Sequence, residues 1–488
     1  IAGVHIIVNG LAQDQPISLS GGPRGSRWYR LIDVPVEVNT GIESRTEKLD
    51  GKTNPHVIRR APLRVYDALQ PVKKGLKADA ETMAFRFEVP IEASAKVGQR
   101  SWDLTIKQGE NKAKLTFGVE VMRPVVPPLG IKSLGFTNWW SVGNVASYHK
   151  VEKWSEDYWK VLEEYANLMA RSRQNMILVP WSEFTIKEGD GWKINREPLR
   201  RFIKLFERRG VVWLEGGHLA GREGGDWMAK RFVLNITGTP INTPQGEKEL
   251  AAIAGELNKV IKEEGWADRW MQHIADEPIN VNAADYALAA AQVKKLMPGI
   301  PIFEATMSKS LVGAVTAWCP QVHEFQHGKD WFAERQKAGD KVWGYTCLSP
   351  TGPWMNRCLD MERLRPALIP WAMVKFNMDG FLHWGLNYWQ ADPFTKSVVR
   401  HSDIADDSGS LPAGDTHVTY PGGREVWSST RLEAHRIGFE DAELLRVLAA
   451  KDQGKADAII GKIVRGFDDY TKSAAEYREA KAELLQSL

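Results

Sequence analysis

Two adjacent carboxylates offer the clearest catalytic chemistry in the sequence. Asp276 and Glu277 end an apolar run that predicts a strand, and Pro278 excludes Glu277 from the right-handed helical region. Neighbouring Cα atoms lie about 3.8 Å apart, so at a strand end both side chains can lean into one pocket. Such a pair is poorly placed to flank a glycosidic bond from opposite faces, as ordinary glycosidases require. It suits substrate-assisted hydrolysis, in which the sugar's 2-acetamido oxygen attacks. A solvated strand end with Asp276 as a capping residue is the open structural alternative.

Aromatic, amide and imidazole side chains follow the other predicted strands. Aromatic rings stack on the C–H faces of sugar rings, while amides and imidazoles bind hydroxyl groups. Any single tryptophan is more typical of core packing, so the clustering at strand ends carries the hypothesis. Glu304 is equally compatible with a structural role beside a pocket histidine or arginine. The candidate substrate-binding residues are Asn138, Trp139, Trp181, His218, Glu304, Tyr345, Trp384, Asn387 and Tyr388.

Other chemistries find little support in the sequence. Four histidines, His218, His273, His323 and His327, could suggest a metal, but we predict no metal site. The chain has no GxSxG motif typical of serine hydrolases and no glycine-rich nucleotide motif. Its three cysteines show no CxxC spacing. We therefore expect an enzyme that needs no cofactor.

Alternating strands and helices after residue 130 must position these side chains. Helical stretches separate most of the strands, which favours a parallel sheet with right-handed crossovers. Eight such units predict a (β/α)8 barrel, whose active site lies at the carboxyl ends of the strands. A doubly wound open sheet is the rival architecture. The predicted strands are 132–138, 174–181, 211–217, 269–276, 301–306, 314–319, 341–348 and 379–386.

The N-terminal residues have a different pattern. Residues 1–125 contain only two of the 20 tryptophans and show short alternating runs between turn signals, which predict an antiparallel β-sandwich. A proline-rich stretch at 122–128 marks the boundary. We therefore predict a sandwich domain at 1–125, a barrel catalytic domain at 130–450 and a helical extension at 451–488. Within that extension, one polar helix is expected at about 455–486.

Composition excludes several classes of protein. The 488 residues include 64 Lys and Arg and 61 Asp and Glu, a net charge of +3, so a nucleic-acid partner is not expected. Apolar runs are shorter than the roughly 18 residues of a membrane helix. The chain opens at Ile1 without a methionine. We interpret this as removal of an upstream signal peptide and expect an exported protein, periplasmic, cell-surface or extracellular.

Three segments resemble glycoside hydrolase family 123. They are the pair Asp276-Glu277 with Pro278, residues 380–389, and residues 419–422 with 428–433 and 438–441. The resemblance covers residues 130–450 and extends to an N-terminal sandwich. It implies a (β/α)8 barrel and a retaining β-N-acetylgalactosaminidase that works by substrate assistance. By this resemblance Glu277 matches the general acid/base and Asp276 the residue that holds the acetamido N–H. Tyr345 matches, by strand position, the tyrosine that binds the acetamido oxygen.

The sequence as a whole thus predicts an exo-acting enzyme on a glycan or glycolipid with terminal β-linked GalNAc. Two alternatives stay open. One is a glycosidase for a sugar without a 2-acetamido group, and the other is a carbohydrate-binding barrel without activity. The Asp276–Glu277 pair weighs against the second, because a binding protein needs no acid. The oligomeric state is not addressed by the sequence.

Overall fold

The fold is mixed α/β, with antiparallel sheets in the N-terminal part and parallel strands alternating with helices after residue 130. The computed structural model describes residues 1–189, 191–400 and 410–488. Within these ranges, no helix combines the length and apolar character needed to cross a lipid bilayer.

Two antiparallel sheets form the N-terminal part. The elements are β1 (Ala2–Val8), β2 (Ser18–Gly21), β3 (Arg27–Val36), α1 (Glu47–Asp50), β4 (Leu63–Pro71), β5 (Met83–Val89), β6 (Gly98–Gln108) and β7 (Asn111–Val121). One sheet contains β1-β5-β3-β4 and the other β2-β6-β7. Alternate residues of β5 reach the second sheet, since Phe85 clusters with Ile106 and Phe87 with Leu104 on β6.

The rest of the chain alternates strands and helices. In order, its elements are β8 (Gly135–Asn138), α2 (Val142–His149), α3 (Glu156–Arg171), β9 (Met176–Val179), β10 (Thr185–Glu188), β11 (Gly191–Ile194), α4 (Arg196–Glu207), β12 (Trp213–Gly216), β13 (Ala220–Arg222), β14 (Phe232–Leu234), α5 (Pro244–Glu263), β15 (Trp270–Gln272), α6 (Ala283–Leu296), β16 (Phe303–Glu304), β17 (Ala317–Trp318), α7 (Val322–His327), α8 (Lys329–Lys337), β18 (Lys341–Thr346), α9 (Leu364–Lys375), β19 (Gly380–His383), β20 (Val399–Arg400), β21 (Ser410–Leu411), β22 (Tyr420–Gly422), β23 (Glu425–Ser429), α10 (Thr430–Ala449), α11 (Gln453–Ile463) and α12 (Ala474–Gln486). Turns of 3₁₀ helix lie at Trp181–Phe184, Glu223–Gly225, Ala267–Arg269 and Lys309–Leu311.

Two parallel sheets contain the eight predicted strands. Their orders are β9-β12-β15 and β16-β17-β18-β19-β8. A parallel bridge between Gln272 and Ile302 connects the sheets on one side. On the other side, the Asn175 backbone N–H donates to the Phe136 carbonyl at 3.2 Å. Because these pairings are parallel, the carboxyl ends of the strands meet at one end of the sheets.

The predicted elements are found with shorter or divided bounds. The link between the fifth and sixth strands holds a 3₁₀ turn, Lys309–Leu311, in place of a full helix. The prediction of a single C-terminal helix at about 455–486 is wrong, because α11 ends at Ile463 and α12 begins at Ala474. Between them Phe467 is buried and stacks on Phe376, with ring centroids 5.5 Å apart. This packing of the connecting segment against the core separates the two helices.

Side chains from the two parts of the chain meet in buried polar contacts. Ser428 and Ser429 on β23 pair with β4, so that β22 and β23 extend the first N-terminal sheet. Asp67 on β4 is fully buried and accepts hydrogen bonds from Arg431 Nε at 2.9 Å and Tyr420 Oη at 2.8 Å. The N-terminal part is therefore held to β23 by a strand pairing and to α10 by an ion pair shielded from water.

Candidate active site

A cavity of about 390 Å³ lies at the carboxyl ends of the parallel strands and contains both carboxylates. A larger groove of about 860 Å³ lies on the N-terminal part, but its walls hold no carboxyl group. The smaller cavity is the one that holds the adjacent pair Asp276 and Glu277. It is lined by Trp139, Leu178, His218, Asp276, Glu277, Ala305, Tyr345, Cys347, Leu348, Leu382, Trp384, Tyr388 and Leu411.

The backbone after β15 brings the two neighbouring carboxylates to the same cavity. Glu277 has a φ of +45°, in the left-handed region that non-glycine residues rarely adopt. Arg222 fixes this turn by donating to the Asp276 carbonyl at 3.1 Å and to the Glu277 carbonyl at 2.6 Å. A strained residue held by its surroundings is typical of functional sites.

The two carboxyl groups have different partners. The Tyr345 hydroxyl donates to Glu277 Oε1. By contrast, Asp276 Oδ1 is buried without a hydrogen-bond partner among the described residues. A buried acceptor without a donor is unfavourable unless a ligand satisfies it. The cavity thus presents one carboxyl group oriented by a tyrosine and one free acceptor oxygen.

Burial changes the acidity of both groups. It raises the pKa of Glu277, and the negative charge of Asp276 raises that pKa further. Burial also raises the pKa of Asp276, although the positive charge of His273 opposes this rise. Two like charges this close do not ionise independently, so the pair holds a proton at a higher pH than an isolated carboxyl group. One member can therefore serve as an acid while the other is an anion.

A buried network supports the catalytic strand from below. His273 lies between Glu215, 2.6 Å from its Nε2, and Glu304, 3.1 Å from its Nδ1. Burial alone would lower the pKa of His273, but its bonds to the two carboxylates raise the pKa to about 10. Glu304 also accepts from the backbone N–H of Ile274 at 2.6 Å and of Ala275 at 3.1 Å. An imidazolium and two carboxylates thus fix the two residues before Asp276.

The same region contains a cluster that could be read as a metal site. Ligand atoms of His218, His273 and Glu304 lie within 4.8 Å of one another. Both ring nitrogens of His273 already donate to carboxylates, and its raised pKa keeps the ring protonated. An imidazolium has no lone pair for a metal. His273 and Glu304 therefore belong to a hydrogen-bonded network, and His218 packs against the His273 ring with centroids 4.6 Å apart.

Five of the nine predicted binding residues line the cavity: Trp139, His218, Tyr345, Trp384 and Tyr388. Trp139 lies edge-on to His218 with ring centroids 5.1 Å apart, and Trp384 packs with Tyr388 at 5.3 Å. Burial lowers the pKa of His218 to about 4, so its ring is neutral at neutral pH. These rings provide both faces and edges for a bound ligand.

The other four predicted binding residues do not line the cavity. Trp181 donates its indole N–H to the Gly217 carbonyl at 2.7 Å. Asn387 accepts from the Ser141 N–H at 2.7 Å, and Asn138 accepts from Arg357 at 2.5 Å. Glu304 belongs to the network around His273, as its structural alternative predicted. All four side chains are buried in the interior, where their hydrogen bonds connect elements.

Three residues near the cavity were missed by the sequence analysis. Cys347 follows β18 and could have been found by the strand-end rule. Asp415 lies in a segment without a strand-end signal, and its Oδ2 accepts from the Trp384 indole at 3.3 Å. Burial raises the pKa of Asp415 to about 7. Arg222 lies on the short strand β13, and no sequence pattern connects it to the catalytic turn.

Comparisons with solved structures agree with this arrangement. A family 123 glycoside hydrolase from Clostridium perfringens, studied for the details of glycolipid glycan hydrolysis, has a TM-score of 0.73 at 14% identity, with 100% of this chain and 91% of that chain covered. At this identity the likeness concerns the fold. The endo-β-1,4-mannanase from Thermotoga petrophila has a TM-score of 0.38 at 12% identity, covering 64% of this chain and 77% of that chain. That value is too low to support an argument.

The sequence itself matches a known family. A comparison with curated proteins finds no match. A family profile described as glycoside hydrolase 123, catalytic domain, matches residues 139–448, which is more than half of the chain and includes both carboxylates. With a cavity that can supply acid catalysis at the carboxyl ends of parallel strands, the chain belongs to glycoside hydrolase family 123.

Proposed function

We propose that the protein is a retaining exo-β-N-acetylgalactosaminidase that releases terminal β-linked GalNAc through an oxazolinium intermediate. The observation that carries this proposal is the pair of adjacent carboxylates in one cavity, with Tyr345 on Glu277 and a free acceptor oxygen on Asp276. Neighbours in sequence are poorly placed to flank an anomeric carbon from two faces. A nucleophile supplied by the substrate removes that requirement.

In this reaction Glu277 is the general acid. Its raised pKa keeps a proton available near neutral pH, and Tyr345 fixes the carboxyl group. As the glycosidic bond breaks, Glu277 donates this proton to the leaving oxygen. Glu277, now a carboxylate, then takes a proton from the water that opens the oxazolinium. The enzyme thus returns to its starting protonation state.

Asp276 acts on the acetamido group. Its free Oδ1 accepts the acetamido N–H and holds the group bent toward the anomeric carbon. As positive charge develops on the oxazolinium, the negative charge of Asp276 stabilises it more strongly than it stabilises the ground state. The protonated His273 below lowers the pKa of Asp276 and so favours its anionic form.

We further propose that the two parallel sheets close into a (β/α)8 barrel, preceded by a β-sandwich over residues 1–125. The bridge at Gln272 and the hydrogen bond from Asn175 support closure on both sides. The contacts of Phe85 and Phe87 support the sandwich. We place the catalytic domain at 130–450 and the helical extension at 451–488.

The cavity supports a single terminal sugar as the unit recognised. Its volume of about 390 Å³ lies at the lower end of ligand pockets, which span roughly 300–1,000 Å³. The glycolipid glycans connected with the Clostridium perfringens enzyme make a glycolipid a reasonable source of that sugar. We therefore propose a glycan or glycolipid with terminal β-GalNAc as the substrate.

A panel of nitrophenyl β-glycosides tests this function. The proposal requires turnover of the GalNAc glycoside, weaker turnover of the GlcNAc glycoside, and almost none of the galactoside or glucoside. Fast turnover of the galactoside would favour a glycosidase without substrate assistance. No turnover of any glycoside would favour a binding protein. Glu277→Gln serves as the control that assigns any activity to this cavity.

A further inference from the structure

A hairpin formed by β13 and β14 runs beside the catalytic turn. The backbone N–H of Leu219 donates to the His273 carbonyl at 3.3 Å, and that of Ala220 donates to the Ile274 carbonyl at 2.8 Å. The hairpin therefore continues the pairing of the catalytic strand beyond the end of β15. Its tip, residues 223–231, follows Arg222, whose side chain bonds to the catalytic turn.

Arg222 connects this hairpin tip to the catalytic turn. Its guanidinium donates to the carbonyls of Asp276 and Glu277, and lies over the ring of Trp227 at 4.1 Å from the centroid. One face of the indole is thus stacked on the cation that positions the acid. This contact places the Trp227 ring one side chain away from the Glu277 backbone.

The indole is exposed although the loop that carries it is well anchored. Trp227 is 40% exposed, and its neighbour Met228 is 56% exposed. The Asn282 side chain donates to the Ala229 carbonyl at 3.2 Å, and Arg231 pairs with Glu223 at 2.8 Å across the loop. An aromatic ring held rigidly in water loses little conformational freedom when a ligand covers it. Such rings are typical binding surfaces for the C–H faces of sugars.

We propose that Trp227 forms the leaving-group subsite, where it stacks on the pyranose ring at the reducing side of the bond that is cleaved. The inference rests on the proposed function. The proton of Glu277 goes to the glycosidic oxygen, so the leaving sugar must lie on the side of Glu277. Arg222 joins the hairpin to the Glu277 carbonyl, and the exposed indole lies over that guanidinium, which supports a place for the ring on this side. Contact with the second sugar aligns the glycosidic oxygen with the acid, which contributes to kcat as well as to binding.

The test compares two substrates of the full-length protein, a β-GalNAc–galactose disaccharide and the β-fluoride of GalNAc. The fluoride has a one-atom leaving group and does not reach Trp227. We expect Trp227→Ala to lower kcat/KM for the disaccharide about tenfold relative to kcat/KM for the fluoride. A change of about tenfold in the ratio of these two values is the size expected for one lost ring contact. Trp227→Phe keeps an aromatic face and should stay near the wild-type ratio. Trp102→Ala, a tryptophan on the second N-terminal sheet, is the matched control.

The outcomes separate this inference from the proposed function. Failure of the wild-type protein to cleave either substrate would contradict the proposed function and the subsite with it. With wild-type activity present, an unchanged ratio in Trp227→Ala overturns the subsite alone. Equal losses on both substrates also overturn it, because they would show that Trp227 acts through Arg222 on the catalytic turn. A loss in Trp227→Phe as large as in Trp227→Ala would rule out stacking.

Discussion

Replacement of Glu277 by glutamine should lower activity and, at pH 8, raise stability. The amide has nearly the shape of the carboxyl group and can still accept the hydrogen bond from Tyr345. It removes a buried negative charge that lies beside Asp276. The variant therefore loses the proton needed for catalysis and also loses an unfavourable charge in the folded state.

The sign and size of the stability effect follow from the raised pKa. A carboxyl group whose pKa is higher in the folded state than its ordinary 4.5 destabilises the fold above that pH. The loss of folding free energy grows as the pH rises, until the pH exceeds the pKa of the group in the folded state. A tenfold difference between the acid dissociation constants of the folded and unfolded states corresponds to about 1.4 kcal/mol. At pH 8 we expect the free energy of unfolding of Glu277→Gln to exceed that of the wild type by at least about 1 kcal/mol, and at pH 4 to equal it.

The matched control is the same chemical change at Glu304. This carboxylate accepts hydrogen bonds from two backbone N–H groups and from the Tyr286 hydroxyl at 2.8 Å. Hydrogen bonds to charged groups contribute about 1.5–3 kcal/mol each. Glu304→Gln should therefore be less stable than the wild type at pH 4 and at pH 8, whereas Glu277→Gln should be more stable than the wild type at pH 8. Urea denaturation at pH 4 and pH 8 measures both effects.

Kinetics complete the test of Glu277. Loss of a general acid lowers turnover by about 10²–10⁴-fold when the leaving group needs protonation. The loss should be large on the disaccharide and smaller on a nitrophenyl glycoside, whose leaving group needs little protonation. Equal small losses on both substrates, or a glutamine variant less stable than the wild type at pH 8, would refute the assignment of Glu277 as a buried acid.

Three further predictions concern the groups around the acid. Asp276→Asn should lower kcat/KM by about 10²-fold and weaken binding of a thiazoline mimic of the oxazolinium in parallel, as measured by inhibition, because both depend on the same charge. The hydrogen bond from Tyr345 lowers the pKa of Glu277, so Tyr345→Phe should move the alkaline limb of the kcat/KM profile to higher pH; a shift to lower pH would contradict this. The pKa of His273 is raised from 6.5 to about 10, so its stabilisation is complete below pH 6.5 and is lost as the pH rises toward 10. Denaturation between pH 6 and pH 10 should show a flatter dependence for His273→Gln than for the wild type.

The eight parallel strands and the acid pair could be predicted because both depend on local patterns. Short apolar runs with helical stretches between them identify the strands, and the carboxyl ends of such strands are the usual place for catalytic groups. The same rule identified Trp139, His218 and Tyr345. It is a rule about position along a strand, and it does not require an alignment with other proteins.

The strand-end rule did not distinguish side chains that line the cavity from side chains that are buried in the interior beneath it. Trp181, Asn138 and Asn387 also lie near strand ends, yet their side chains connect buried elements. Which side chains reach the cavity depends on the twist at each strand end, and sequence alternation does not determine that twist. Arg222 and the pairing of β23 with β4 depend on contacts between distant segments, which carry no local signal.

The most direct measurement of the central claim compares nitrophenyl β-glycosides whose 2-acetamido group carries zero, one, two or three fluorine atoms. Fluorine withdraws electrons from the acetamido oxygen and weakens it as a nucleophile, while the leaving group and the rest of the sugar stay the same. If the substrate supplies the nucleophile, kcat/KM falls with each added fluorine. If Asp276 or Glu277 attacks the anomeric carbon instead, the four substrates react at similar rates, and that result would contradict substrate-assisted catalysis.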